Sequence, residues 1–185
     1  MPRPAPPLVL TRPVVLVGLM GVGKTTVGRR LAQALRVPFR DADAEIEAAA
    51  NMRIADIFAI YGEAAFRDGE RKVIERLMAE RPHVLATGGG AFMDEGTRAL
   101  VKRDSTSVWL RASLDVLVRR TAMRDTRPLL KTGDPRAILG RLLEERGPTY
   151  ALADLAIDSG EGPHARTVER VLDALAARER EGTAV

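Results

Sequence analysis

The chain contains no cysteine, which excludes disulfide bonds and thiolate metal sites. Aromatic residues make up only 4% of its 185 residues, which argues against the stacking surfaces that bind single-stranded nucleic acid. No run approaches the ~20 apolar residues that a membrane-spanning helix needs. The N-terminal stretch also lacks the apolar core of a secretory signal. We therefore expect a cytoplasmic protein that binds neither nucleic acid nor membranes.

Lysine is scarce as well. Of the 29 basic residues, only Lys24, Lys72, Lys102 and Lys131 are lysines, and the others are arginines. The forked guanidinium group of arginine suits two-point contact with carboxylate or phosphate. The net charge of +4 and the pI near 9.9 fit a protein whose ligands are small anions. A GC-rich genome would also favour arginine everywhere, so each arginine is interpreted by its position.

Apolar runs typical of buried strands alternate with helical patterns along the chain. The runs cover residues 14–20, 37–43, 83–90, 105–110 and 152–159, and the helical pattern over 54–78 is broken near Gly62. We expect a three-layer α/β/α fold around a central five-stranded parallel sheet. The length and the apolar content of 45% predict a single domain, residues 1–185, with flexible extensions at residues 1–12 and about 178–185.

One glycine-rich segment, GLMGVGKTT, follows the first predicted strand and begins the first predicted helix. It matches the P-loop pattern G-x-x-x-x-G-K-[ST], with Gly18, Gly23, Lys24 and Thr25 in the required positions. In this setting, backbone N–H groups and the helix N-terminus bind phosphate oxygens. Lys24 is predicted to contact the β- and γ-phosphates and Thr25 to help hold Mg²⁺. The residues predicted to bind ATP here are Gly21, Val22, Gly23, Lys24, Thr25 and Thr26.

Three further segments indicate what receives the phosphate. In FRDAD, Asp41 and Asp43 end a predicted strand on the same side, so one can face the metal and the other the acceptor. Arg67 and Glu70 are three residues apart and share a helix face, although such a pair is often only a surface ion pair. In TGGGAFM, the glycines at 88–90 end another strand. Their backbone amides can approach a ligand closely there, or the segment can be a simple tight turn.

Six segments occur in one order between about Val14 and Asp158: GLMGVGKTTVGRRLA, FRDADAEIE, ADIFAIYGEAAFRDGE, ATGGGAFM, RPLL and EERGPTY. Together they resemble the shikimate kinase family. The resemblance implies an enzyme of the P-loop NTPase fold that uses ATP to phosphorylate the 3-hydroxyl of shikimate, a step toward chorismate and the aromatic amino acids. It also implies a substrate-binding helical segment, a mobile lid over about residues 122–134, one Mg²⁺ ion, and a monomer.

The resemblance assigns roles on the substrate side. Asp43 is implied to bind the shikimate hydroxyls and is the candidate base. Arg67 and Arg146 are implied to bind the carboxylate, with Glu70 orienting Arg67 and Gly89 donating its backbone N–H. The full implied set of substrate-binding residues is Asp43, Arg67, Gly88, Gly89, Gly90 and Arg146.

The resemblance also assigns roles on the nucleotide side. Asp41 is implied to join Thr25 in the magnesium shell. Arg127, in the lid, is implied to close over the transferring phosphoryl group, and Arg120 is implied to contact a phosphate. The implied catalytic residues are Lys24, Asp43 and Arg127.

Two alternatives stay open on the residues alone. The acceptor can be another small anion, such as gluconate or a nucleoside monophosphate, because two arginines suit any carboxylate or phosphate. The chain can also be a nucleotide-binding regulatory protein without turnover. His83 and His164 lack companions at metal-ligand spacing and are interpreted as incidental, and Trp109 as core packing.

Overall fold

The computed structural model describes residues 8–123 and 133–183. Its five strands are β1 (Val14–Val17), β2 (Phe39–Asp41), β3 (Val84–Ala86), β4 (Thr106–Arg111) and β5 (Leu155–Asp158). They form one sheet in the order β2-β3-β1-β4-β5, and every neighbouring pair is parallel. In the central register, Val15 of β1 lies between Leu85 of β3 and Ser107 of β4. The predicted five-stranded parallel sheet is confirmed.

Helices cover both faces of this sheet. They are α1 (Lys24–Leu35), α2 (Ala42–Ala50), α3 (Ile54–Met78), a short 3-10 helix (Ala91–Met93), α4 (Glu95–Asp104), α5 (Leu114–Ala122), α6 (Pro135–Tyr150) and α7 (His164–Thr183). From β1 the chain runs to the β2 edge and then back across the sheet to β5. Right-handed crossovers therefore place α1 on one face and α3 and α4 on the other. Consistently, α1 packs against α7 and α3 against α4, as the three-layer prediction requires.

The centre of the sheet forms the core. All four residues of β1 are buried, which explains why this strand appears in the sequence as an unbroken apolar run. On α1, the residues at positions 27, 31 and 35 are buried as the helical spacing predicts. Across the described residues, the structure contains no helix with the length and apolar content needed to cross a membrane.

The second strand ends earlier than the sequence predicts. β2 stops at Asp41, and α2 begins at Ala42. The Asp41 side chain is the physical reason, because its Oδ1 accepts hydrogen bonds from the N–H groups of Asp43 (3.1 Å) and Ala44 (3.5 Å) and so caps α2. The prediction that both aspartates belong to one strand and project from the same side of it is therefore wrong. Asp43 lies instead in the first turn of a helix.

Two helices, α3 and α6, depart from regular helical geometry or sequence. The predicted break near Gly62 is present inside α3, where this residue has φ 80° and ψ 175°. α6 continues through Pro148 for a further turn to Tyr150, although a proline often ends a helix. The extra turn brings the side chain of Tyr150 into the core, where it is fully buried.

The ends of the chain and the lid were also predicted from the sequence. Leu8 and Leu10, within the predicted N-terminal extension, pack against the core, and α7 continues to Thr183 within the predicted C-terminal extension. Most of the predicted lid, including Arg127, lies outside the described residues.

The close packing of α1 on the sheet yields a stability prediction. A Cβ at Gly28 would lie 2.6 Å from Cε2 of Phe39 and 3.2 Å from Cδ1 of Leu16, whereas a Cβ at Gly140 of α6 would meet its nearest atom at an ordinary 3.5 Å. Both Gly→Ala substitutions gain the same helix propensity. We expect Gly28→Ala to be about 1–3 kcal/mol less stable than Gly140→Ala because of overpacking, as measured by urea unfolding. Equal stability of the two variants would contradict this account of the packing.

Candidate active site

The segment between β1 and α1, called here the phosphate loop (residues 18–25), has the backbone geometry of an anion site. Gly21 and Gly23 have φ values of 82° and 100°, which favour glycine. α1 begins directly after Gly23, so its N-terminal N–H groups can bind phosphate. The ammonium group of Lys24 donates to the carbonyl oxygens of Gly18 (2.6 Å) and Leu19 (3.1 Å) and therefore lies across the loop.

The predicted magnesium ligands lie together beside this loop. Thr25 and Thr26 are in the first turn of α1, and the Thr25 hydroxyl donates to Oδ2 of Asp41 at 3.4 Å. Hydroxyl and carboxylate oxygens suit Mg²⁺, which proteins usually bind through one or two side chains together with phosphates and water. Within residues 8–123 and 133–183, no group of three or more His, Cys, Asp or Glu side chains could hold a metal. The pair therefore fits an ion that is shared with a nucleotide.

Arg120 joins the phosphate loop to the segment after β5. Its Nη1 donates to the carbonyl oxygens of Val22 (3.1 Å) and Ser159 (3.0 Å), and its Nη2 donates to that of Gly160 (2.8 Å). The Ser159 hydroxyl donates to the same Val22 oxygen at 2.9 Å. Arg120 thus supports the loop backbone, a role that the sequence analysis missed. Its predicted contact with a phosphate stays a prediction.

Three consecutive positions after β3, called here the glycine segment (Gly88, Gly89 and Gly90), lie against the charged side chains of the site. A Cβ at Gly88 would lie 3.0 Å from Oδ1 of Asp43, and one at Gly89 would lie 3.5 Å from Nη1 of Arg146. A Cβ at Gly90 would collide with Nη2 of Arg67. The structure therefore brings together the predicted substrate-binding residues, which come from α2, α3 and α6. A side chain at Gly88 would crowd Asp43 and one at Gly90 would displace Arg67, whereas a Cβ at Gly89 would make only an ordinary contact with Arg146.

Arg67 and Glu70 form a buried ion pair on α3. Nη1 of Arg67 lies 2.6 Å from Oε2 of Glu70, and the Glu70 side chain is only 1% exposed. Burial raises the pKa of Glu70, while the hydrogen bond and charge of Arg67 oppose the rise. An ordinary surface pair at the start of the same helix, between Arg53 just before it and Asp56 in its first turn, is far more exposed. The interpretation of Arg67 and Glu70 as a mere surface pair is therefore wrong.

Asp43 lies between the phosphate loop and the glycine segment. Although the residue is exposed, the surrounding protein displaces enough water to raise the pKa of its carboxyl group, and Asp41 raises it further by repulsion. The charges of Lys24 and Arg67 oppose this rise in the pKa. A carboxyl group with a perturbed pKa among such partners is typical of a functional site.

Two side chains that the sequence analysis did not assign to the site also touch it. The hydroxyl of Tyr150 donates a hydrogen bond to the carbonyl oxygen of Gly89. The imidazole of His164 packs on the phosphate loop, since a Cβ at Gly23 would lie 2.9 Å from its Cε1. The signal for Tyr150 was its place four residues after Arg146 in EERGPTY, a spacing that puts both side chains on one helix face.

Comparison with known proteins places the chain in a family. The family model described as Shikimate kinase matches residues 20–176. A curated shikimate kinase from Paramagnetospirillum magneticum is 58% identical over 164 residues, which are 89% of this chain and 84% of that protein. This chain belongs to the shikimate kinase family. The family, the fold and the kinase activity predicted from the sequence are thereby confirmed.

Solved structures agree with this assignment. A shikimate kinase from Acinetobacter baumannii, in complex with shikimate, has a TM-score of 0.84 and 36% identity, and the match covers 90% of this chain and 94% of that one. A gluconokinase from Sinorhizobium meliloti has a TM-score of 0.60 and 23% identity, with 94% and 97% covered. The similarity to the gluconokinase shows only that the two proteins share a fold.

The buried pair predicts how stability changes with pH. Because burial raises the pKa of Glu70 in the folded state, its proton stabilises the fold below the usual glutamate pKa of about 4, and this contribution is lost as pH rises through the folded pKa. Glu70→Gln is neutral but still accepts a hydrogen bond from Arg67. We expect this variant to be more stable than the parent at pH 8, with the difference disappearing near pH 4, in thermal unfolding scans without ligands.

A matched control lies on the same helix. Oε1 of Glu63 is 3.6 Å from Nη2 of Arg67, but this glutamate is 70% exposed. Glu63→Gln should follow the stability profile of the parent across pH 4–8. If Glu70→Gln were the less stable protein at pH 8, attraction by Arg67 would outweigh the cost of burial.

Proposed function

We propose that this kinase transfers the γ-phosphoryl group of ATP to the 3-hydroxyl of shikimate through the residues described above. The position of Asp43 carries the proposal. Its carboxylate borders the glycine segment, where a Cβ at Gly88 would lie 3.0 Å from Oδ1, and the charges of both Lys24 and Arg67 act on it. A hydroxyl held at Asp43 would therefore stand between a bound nucleotide and the arginines that bind an acid.

Arg67 and Arg146 are proposed to hold the shikimate carboxylate. Both guanidinium groups border the glycine segment, so one small carboxylate can reach both. Each can form paired, charge-assisted hydrogen bonds with two carboxylate oxygens. Glu70 fixes the direction of Arg67 through its 2.6 Å ion pair, and the backbone N–H of Gly89 supplies a further donor.

The chemistry needs mainly position and positive charge. Phosphoryl transfer has a loose transition state with charge on the peripheral oxygens, which Lys24 stabilises once it exchanges its loop carbonyl contacts for phosphate. Asp43 directs the hydroxyl oxygen at the phosphorus and can accept its proton late in the reaction. Thr25 and Asp41 would hold one Mg²⁺ ion, which supplies charge neutralisation at the phosphates when it is bound.

The lid completes the proposed site. Water is a competing acceptor, so closure of a lid over both substrates would favour transfer to shikimate. On the family resemblance, this lid covers about residues 122–134, and its Arg127 contacts the transferring group, with Arg120 as a further phosphate contact. The proposals of a monomer and of a cytoplasmic location are tested by light scattering and by cell fractionation.

A panel of acceptors tests the function. Purified protein with ATP and Mg²⁺ is given shikimate, gluconate or AMP, ADP release is followed, and products are identified by mass spectrometry. We expect one ADP for each shikimate 3-phosphate and little turnover with the other acceptors. Nucleotide binding without turnover would support a regulatory protein, and faster turnover with another acceptor would overturn the proposal for shikimate.

Lys24 should be needed for turnover. Because it stabilises charge that develops during transfer, Lys24→Ala should lower kcat by about a hundred- to a thousandfold. The matched control is Lys72→Ala, since Lys72 is exposed on α3 and its salt bridge to Asp68 is a surface contact. Near-normal kcat for Lys24→Ala would remove this lysine from the proposed chemistry.

Arg67 should be needed for binding the acid. Arg67→Lys keeps the charge but loses the fork, so we expect the KM for shikimate to rise about tenfold or more while the KM for ATP changes little. Arg53→Lys alters an exposed arginine that also pairs with an acid three residues later, and it should leave both constants unchanged. A parallel rise of both KM values in Arg67→Lys would point to a general structural defect.

A further inference from the structure

We propose that Tyr150 is a positioning residue for the acid substrate, because its hydroxyl holds the glycine segment in the arrangement that Arg146 and Arg67 require. The inference rests on the proposed function, since it assumes that an acid binds at this segment. It concerns a side chain that need not touch either substrate. Its effect would reach the substrate through the backbone of Gly89.

The contact itself is well defined. Tyr150 is completely buried, and its hydroxyl donates to the carbonyl oxygen of Gly89, which is 61 positions away in the chain. Its ring lies beside that of Trp109, with centroids 6.0 Å apart and planes inclined by 28°. Packing therefore fixes the ring, and the fixed ring directs its hydroxyl at one peptide group.

That peptide group belongs to the most adaptable part of the site. Glycine restricts its own backbone less than any other residue. The carbonyl oxygens of Gly88 and Gly90 accept backbone hydrogen bonds from Ala91 and Met93, whereas that of Gly89 accepts one from the Tyr150 hydroxyl. A trans peptide carries its C=O and the next N–H on opposite sides. A hydrogen bond that fixes the Gly89 carbonyl therefore also fixes the direction of the Gly90 N–H, next to Arg67.

The same helix supplies the hydroxyl and one of the acid-binding arginines. Tyr150 follows Arg146 by four residues on α6, so both side chains share a face. Both also reach Gly89, the tyrosine through its hydrogen bond and Arg146 with Nη1 3.5 Å from the position of a Cβ there. A shift of the glycine segment relative to α6 would therefore separate the backbone N–H groups of that segment from the guanidinium group of Arg146.

The tyrosine also connects this segment to the nucleotide side. A Cβ at Gly89 would lie 3.7 Å from the backbone N of Met20, and one at Gly18 would lie 3.4 Å from Cδ1 of Trp109. The glycine segment thus lies directly against the phosphate loop, and Trp109 packs beside both that loop and the ring of Tyr150. The phenol stays a neutral donor at working pH, because burial raises the pKa of Tyr150 by more than Arg146, through its charge and a hydrogen bond, and the charge of Arg67 lower it.

A single-atom change tests the proposal. Tyr150→Phe keeps the ring and removes only the hydroxyl, so the stack on Trp109 remains. We expect the KM for shikimate to rise about five- to tenfold, with kcat and the KM for ATP within about twofold, because the lost bond orders a site for ground-state binding. The chain has only two tyrosines, and Tyr61→Phe is the matched control, since Tyr61 is 62% exposed.

Other outcomes of this experiment overturn the inference. An unchanged KM for shikimate would show that the hydroxyl does not position the site. A lower Tm with equal rises in both KM values would show that Tyr150 serves only the core. The unaltered protein is assayed first, and if it fails to phosphorylate shikimate, the proposed function fails. If the unaltered protein turns over normally and the Tyr150→Phe variant has the same constants, only the inference about Tyr150 is rejected.

A second measurement does not depend on the folding of that variant. Protein labelled throughout with 3-fluorotyrosine should give two ¹⁹F resonances, and the spectrum of Tyr61→Phe assigns them. Saturating shikimate without nucleotide should shift the Tyr150 resonance and leave that of Tyr61 in place. A Tyr150 resonance that does not move would overturn the inference.

Discussion

The arrangement of this site depends on three successive positions that carry no side chain. At the carboxyl end of β3, Gly88, Gly89 and Gly90 let Asp43, Arg146 and Arg67 approach one short stretch of backbone. These charged groups come from three different helices, and the absence of a side chain at Gly88 and Gly90 leaves room for Asp43 and Arg67 there.

Such close approach has an electrostatic cost. Glu70 is buried although burial disfavours its charge, and Arg67 offsets only part of that penalty. A buried ion pair of this kind seldom adds net stability. The pair is better explained by the orientation that it gives Arg67 than by its contribution to stability. The buried carboxylate keeps the guanidinium of Arg67 turned toward the glycine segment before any substrate binds. A substrate carboxylate then meets donors that need little reordering.

The sequence predicts the fold well because the relevant signals are local. The buried run of β1, the P-loop pattern and the break at Gly62 each depend on neighbouring residues. The predicted end of β2 was wrong, because the periodicity of a sequence does not show whether an aspartate side chain will cap the next helix, as Asp41 does. The contacts of Arg120 with Val22 and of Tyr150 with Gly89 join residues 98 and 61 positions apart, so only the folded chain reveals them.

The bend inside α3 makes an unusual demand on the chain. Nothing lies within 4 Å of the position of a Cβ at Gly62, so the site has ample space for a side chain, yet φ is 80° and ψ is 175°. The mirror image of these angles falls in the extended region that L-residues adopt freely. This position therefore discriminates by handedness and not by volume: a D-alanine would suit the bend, whereas its L-enantiomer would strain it.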